Sequence, residues 1–153
     1  MPKSELMSRG YFGIGVYHPK TSVNIGTLWR SGLNFSADFL FTIGPRYKAQ
    51  ASDTLKTTRH VPLWHFTSFE EFLEHSPYNC KVIAVEQAEG AVSLGNFIHP
   101  ERAIYLLGAE DAGLPSSILQ RCYACIQIDT QFCLNVAVAG SIVMYDRTTR
   151  RAD

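Results

Sequence analysis

Three short segments of this 153-residue chain bring together residue types that could act on one substrate. The segment Asn24-Ile25-Gly26-Thr27-Leu28-Trp29-Arg30 holds an amide and a guanidinium six residues apart. A guanidinium is always charged and meets phosphate oxygens in bidentate fashion. Arg30 is therefore a candidate phosphate clamp, or else an ordinary surface arginine near a helix end. The second segment, Leu107-Gly108-Ala109-Glu110-Asp111-Ala112-Gly113-Leu114-Pro115, is a loop with two glycines and two acids. Its glycines allow close backbone approach. Its acids make it a poor cradle for pyrophosphate and a better one for a sulfonium or amino cation. The third, Cys133-Leu134-Asn135-Val136-Ala137-Val138-Ala139-Gly140, opens an apolar helix on an amide. An amide buried there needs a specific partner. Alone, Asn135 also reads as a helix cap.

The elements that must position these residues alternate along the chain. Tyr11–Tyr17, Phe39–Ile43, Lys81–Glu86, Ala103–Leu107 and Ala124–Asp129 are short apolar runs of strand type. Val61–Phe66 is a further strand interrupted by Pro62, which suits an edge. A helix capped by Ser22 is expected to run to about Ser31, with Ile25, Leu28 and Trp29 on one face and Gly32 ending it. Thr67/Ser68 followed by Glu70-Glu71 opens a helix to about His75. Pro115 opens another to about Arg121. The longest helix is expected over Leu134–Arg150, with Leu134, Val138, Ile142 and Tyr145 as its apolar stripe and Arg147, Arg150 and Arg151 suited to the helix dipole. Alternating strands and helices imply an α/β fold: one domain over residues 11–153, built on a mostly parallel sheet flanked by helices, behind a loose leader at 1–10.

Composition narrows the function classes. The 46% hydrophobic content suits a globular chain. The formal net charge is zero, but it is unevenly spread: +5 over residues 1–60, −6 over 61–120 and +1 over 121–153. The first third could present a basic face to an anionic partner, or its charges simply cluster in sequence. Arg46, Lys48, Lys56 and Arg59 lie in one polar stretch, a candidate phosphate-contacting loop or a solvated one. There is no secretory segment and no apolar run of membrane-spanning length, so a cytoplasmic protein with reduced thiols and no membrane partner is expected. Cys122-Tyr-Ala-Cys125 leaves a helix and enters a strand, the reverse of a redox motif, and the five histidines are scattered, so no metal is expected. Gly13-Ile14-Gly15-Val16-Tyr17-His18 fails the dinucleotide fingerprint at His18.

Taken in order, the three segments resemble the signature motifs of the SpoU (TrmH) branch of the SPOUT RNA methyltransferases. The first pattern, N-x-G-x-x-x-R, is met by Asn24, Gly26 and Arg30; the second, G-x-E-x-x-G-L, by Gly108, Glu110, Gly113 and Leu114. The third, S-L-N-V-S, is met by Leu134, Asn135 and Val136, with Cys133 and Ala137 in place of its serines. The chain resembles the minimal, TrmL-like members. The resemblance implies a C-terminal trefoil knot, which no sequence pattern could suggest because knots are very rare. It implies S-adenosylmethionine as cofactor, held against Val85, Leu107, Gly108, Ala109, Glu110, Ile128, Cys133 and Leu134, largely by backbone groups. It implies a homodimer with the active site near the interface, and RNA as partner, tRNA favoured over rRNA. The implied reaction is methyl transfer to a ribose 2′-hydroxyl. Arg30 is expected to clamp the adjacent phosphate, with Asn24, Glu110 and Asn135 holding Arg30, the ribose and the knot loops. The alternative is a non-catalytic RNA-binding dimer that keeps the fold.

Overall fold

The computed structural model describes residues 10–44, 60–109 and 112–150. In chain order the elements are β1 (Tyr11–Tyr17), α1 (Ser22–Asn34), β2 (Phe39–Ile43), β3 (Leu63–Phe66), α2 (Phe69–His75), β4 (Lys81–Val85), β5 (Val92–Ser93), a 3-10 turn (Leu94–Asn96), β6 (Arg102–Gly108), α3 (Ser116–Leu119), β7 (Ala124–Gln127) and α4 (Val136–Arg150). The seven strands form one sheet in the order β3-β2-β1-β6-β4-β7-β5. Every neighbouring pair is parallel. Parallel strands are covered on both faces, which is why they read as continuous apolar runs rather than alternating ones. β3 is an edge, as Pro62 required.

Two apolar cores lie on the two faces of the sheet. One gathers Phe12, Ile14, Val16, Ile83, Tyr105 and Leu107 with residues of α1 and α4; the other gathers Phe39, Phe41, Ile104, Leu106 and Phe72. In the middle of the sheet, β1 offers Gly13 and Gly15 to the second face. A Cβ on either would collide with the ring of Phe39 or Phe41. The glycines that failed as a nucleotide fingerprint therefore make room for two aromatic rings.

Several boundaries differ from the sequence reading, each for a local reason. The first helix passes through Gly32 to Asn34. Gly32 is kept because a Cβ there would press on Leu40 Cδ1 at 2.6 Å. Ser22 is the first helical residue; Thr21 occupies the cap position and makes no side-chain cap bond. The α2 cap matches expectation: Ser68 Oγ accepts the Glu71 N–H at 3.1 Å and the Glu71 carboxylate accepts the Thr67 N–H at 3.1 Å. The last helix starts at Val136, not Leu134, because Asn135 caps it. Its expected stripe points outward: Val138, Ile142 and Tyr145 are 47%, 36% and 60% exposed, while Ala137, Gly140, Val143 and Met144 are buried. Arg147 is not a dipole counter-ion at the surface but fully buried. Residues 1–9 of the leader, the Arg46–Arg59 basic stretch, Glu110 and Asp111, and Arg151 lie outside the described residues. Among the described residues, no helix is long and apolar enough to cross a membrane.

Candidate active site

At the carboxyl end of a parallel sheet the βα loops surround the natural position for a ligand. Here β4, β6 and β7 lie side by side, and the loops that follow them enclose a cavity of about 430 Å³. Val85, Leu107, Gly108, Ala109, Ile128, Cys133 and Leu134, picked from three separate stretches of sequence, all line it. The structure thus brings together every described residue expected to hold the cofactor.

The motif-two loop turns back on itself. Gly113 N–H donates to the Ala109 carbonyl at 3.0 Å, closing a small antiparallel bridge. Gly113 has φ +64, a left-handed conformation that favours glycine. Gly108 lies so close beneath it that a Cβ would meet the Gly113 carbonyl carbon at 2.5 Å. Both glycines are therefore demanded by loop shape.

Asn135 joins the first and third segments. Its Nδ2 donates to Asn24 Oδ1 at 2.9 Å, across 111 residues of sequence. Its Oδ1 accepts the N–H groups of Ala137 at 2.9 Å and Val138 at 3.2 Å, so the same amide caps α4. Both readings of this residue hold at once, although it is exposed rather than buried. Asn24 borders a small hollow with Ala109 and Val136, two residues that also wall the main cavity. Arg30 stands apart. It is exposed on α1, seven residues beyond the exposed Val23 and so on the same helix face, and it does not line the cavity.

Neither replaced motif serine leaves a gap. Ala137 is 2% exposed and contributes its N–H to the cap. Cys133 lines the cavity, and its Sγ donates to Gln87 Oε1 at 3.8 Å. In the Cys122-Tyr-Ala-Cys125 pair, burial raises Cys122 to about 11, and burial followed by the Glu86 charge raises Cys125. Neither is poised for redox work.

The sequence reading missed Glu86 and Gln87, which line the cavity together with Thr130. A usable signal existed, since two polar residues directly follow a buried parallel strand at its carboxyl end. Glu86 carries the only charge on the cavity wall among the described residues. A wall of aliphatic side chains, polar groups and one carboxylate suits a nucleoside with a cationic tail and offers nothing to a pyrophosphate. S-adenosylmethionine fits that description.

Residues 12–145 match the SpoU rRNA methylase family. The chain belongs to this family. A solved structure concerned with "2-OH methylation of C/U34 on tRNA" is 27% identical, with a TM-score of 0.80 over 94% of this chain and 97% of that one. The SpoU methyltransferase AviRb from Streptomyces viridochromogenes, solved with AdoMet, shares the fold at TM-score 0.81 and 19% identity, over 92% of this chain and 60% of that chain. The tRNA (guanosine(18)-2′-O)-methyltransferase TARBP1 of Mus musculus is 33% identical over 73 residues. That match takes in 46% of this chain and only 5% of the mouse protein's length.

Proposed function

We propose that this SpoU protein transfers a methyl group from S-adenosylmethionine to a ribose 2′-hydroxyl of RNA, with tRNA favoured over rRNA. The observation that carries the reading is the Asn135–Asn24 hydrogen bond at 2.9 Å, which ties the first and third motifs together beside the cavity of the second. The preference for tRNA draws on two relatives whose names refer to tRNA.

The cofactor, when bound, supplies an electrophilic methyl on a sulfonium. The chain's own residues then have to hold the ribose in line and manage charge, and positioning alone can lower such a barrier by several kcal/mol, roughly 7 or more for ideal alignment. A guanidinium is a donor and a poor proton acceptor. In this reading Arg30 is therefore not a base; it clamps the phosphate next to the target ribose and stabilises the developing alkoxide. Asn24 and Asn135 hold the geometry around it, and Glu110 is assigned the same task on the motif-two loop. Arg46, Lys48, Lys56 and Arg59 supply sequence-independent phosphate contacts.

A homodimer is part of the proposal. Val138, Ile142 and Tyr145 are exposed on α4, which packs against α1: Ser31 Oγ accepts from Ser141 Oγ at 2.8 Å, and the outer face of α1 carries the exposed Val23 and Arg30. An apolar face of this kind is covered in most soluble proteins. A second copy seated there would bring Arg30 to an interface beside the site instead of leaving it in solvent. The trefoil knot belongs to the same reading, and the strand order, with β6 between β1 and β4, is compatible with it.

The test is transfer of labelled methyl from S-adenosylmethionine to total tRNA and, separately, to rRNA. Label recovered in a dinucleotide resistant to alkali supports ribose methylation. Cofactor binding without label in either RNA supports the non-catalytic RNA-binding dimer.

A further inference from the structure

We infer that Glu86 and Gln87 form a two-armed clasp whose arms fix the two loops on either side of them, and so set cofactor affinity by holding the cavity open in its binding shape. This rests on the proposed cofactor reading, and it concerns two residues that carry none of the three motifs.

The clasp starts from a rigid base. Glu86 N–H still donates to the Ile126 carbonyl at 2.9 Å, so the backbone stays fastened to β7 as the side chains leave. Side chains of consecutive residues at the end of a strand leave in opposite directions. The Glu86 arm goes to the motif-two loop, where its Oε2 accepts the Leu114 N–H at 2.7 Å. It lies against Gly113, where a Cβ would come within 2.5 Å of that oxygen. The carboxylate thus occupies space that a side chain at Gly113 would need, and it satisfies a backbone donor just beyond the turn.

The Gln87 arm goes the other way, to the loop after β7. Its Nε2 donates to Thr130 Oγ1 at 3.1 Å and to the Ile128 carbonyl at 3.5 Å, and its Oε1 accepts from Cys133 Sγ at 3.8 Å. Thr130 Oγ1 in turn donates to the Phe132 carbonyl at 2.7 Å. One amide therefore gathers three positions of the loop, including the cysteine that replaces a motif serine. Cys133 retains a weak donor for this bond, so the replacement keeps the contact.

Loops held in their bound shape do not have to be ordered by the ligand, and that saving appears as affinity. The clasp therefore acts on cofactor binding and not on the methyl-transfer step. A different role for Glu86 is direct attraction between its charge and the sulfonium, and the two roles can be separated. S-adenosylhomocysteine has no sulfonium charge, and Glu86→Gln keeps an acceptor for Leu114 while losing the charge.

The experiment is calorimetric binding of S-adenosylmethionine and S-adenosylhomocysteine to the full chain and to Glu86→Gln, Glu86→Ala, Gln87→Ala and Thr130→Val. Amide hydrogen exchange at Leu114 and over residues 128–133 is followed in parallel. The clasp predicts a roughly tenfold or larger rise in Kd for both ligands in Glu86→Ala, the size expected on losing a hydrogen bond to a charged group. Recovery in Glu86→Gln, a smaller rise in Gln87→Ala and Thr130→Val, and faster exchange confined to the loop each arm holds are also expected. Loss of affinity for S-adenosylmethionine alone in Glu86→Gln would overturn the clasp in favour of charge attraction. Unchanged exchange at Leu114 in Glu86→Ala would overturn it as well. If Glu86→Ala does not fold, Glu86→Gln and Thr130→Val still decide between the outcomes. If the unmodified chain binds neither ligand, the cofactor reading fails, whereas the exchange pattern still reports on the two arms.

Discussion

The two ends of α4 are built from similar polar residues and do opposite things. At its start, the Asn135 amide is exposed, bonds to Asn24 and caps the helix beside an open cavity. At its other end, Arg147 is fully buried and donates to the Pro100 carbonyl at 2.7 Å, the Tyr105 hydroxyl at 3.0 Å and the Glu101 carbonyl at 2.8 Å. Its guanidinium lies 5.0 Å from the Phe12 ring centroid. The Tyr105 hydroxyl donates to His99 Nδ1 at 2.6 Å, and His99 Nε2 donates to Asp146 at 2.7 Å. Arg150 adds bonds to Asp146 at 2.6 Å and to the Leu94 carbonyl at 2.8 Å. At this end polar groups are committed to one another, so the network anchors the helix. At the start they stand exposed next to Leu134 and Val136 of the cavity wall, where a substrate can compete for them.

The sharpest way to break this division is through Arg30. Arg30→Ala should lower methyl transfer by about 10²–10³-fold, the scale of losing a group that stabilises developing charge. Its cofactor affinity and unfolding midpoint should not change. Arg30→Lys keeps the charge without the fork and should recover only part of the rate. Full activity in Arg30→Lys would remove the bidentate clamp from the mechanism.

Next in size is Arg147→Met, which leaves two carbonyls and a tyrosine hydroxyl without their buried donor. A loss of about 3 kcal/mol is expected in urea unfolding. Transfer per folded molecule should stay near normal. Loss of transfer with stability intact would show that the anchored end takes part in catalysis.

Asn135 sharpens the comparison from the other side. Asn135→Asp keeps the oxygen that caps α4 but loses the donor to Asn24, whereas Asn135→Ala loses both. The alanine variant should be destabilised by about 1 kcal/mol. The aspartate variant should unfold normally yet transfer methyl groups poorly, because only the link between motifs is cut.

The smallest effect is the response to acid. Burial is the largest influence on His99 and lowers its pKa below 6.5, outweighing the nearby Asp146 carboxylate; Arg147 and Arg150 push the same way as burial. The unfolded chain therefore binds a proton before the folded one does. Stability should be complete above about pH 6.5 and decline as pH falls toward the lowered value, with a slope of at most about 1.4 kcal/mol per pH unit for one proton. Burial raises the Asp146 pKa, but hydrogen bonds from Arg150 and His99 outweigh it and hold the group below 3.8. That adds a second loss at still lower pH, as the carboxylate is protonated. Unfolding curves between pH 4 and 7 should flatten in this range for His99→Gln, where the titrating group is absent.

Much of the site was legible because motif residues sit at strand ends and helix starts, where local pattern and ligand position coincide. Val85, Leu107, Gly108 and Cys133 reached the cavity as expected. Val138, Ile142 and Tyr145 do share one face of α4, but that face points outward. Periodicity says which residues share a side of a helix, not which side is covered. The buried side was chosen by packing: a Cβ on Gly140 would press on Leu28 Cδ1 at 2.5 Å, so the small residues turn inward. Glu86 and Gln87 were missed because their partners lie 28 and 41–46 residues away.

By itself the sequence determined the alternation of strands and helices, the glycines of the motif-two loop and the chemical types at the motif positions. These follow from local backbone preference and from side-chain chemistry. Only the tertiary structure decided that Asn24 meets Asn135, that Arg147 is buried against the central strands β1 and β6 while Arg30 stays in solvent, and that α4 keeps an apolar face outward. Each of those outcomes depends on how distant segments pack, and long-range packing leaves no periodic trace in the chain.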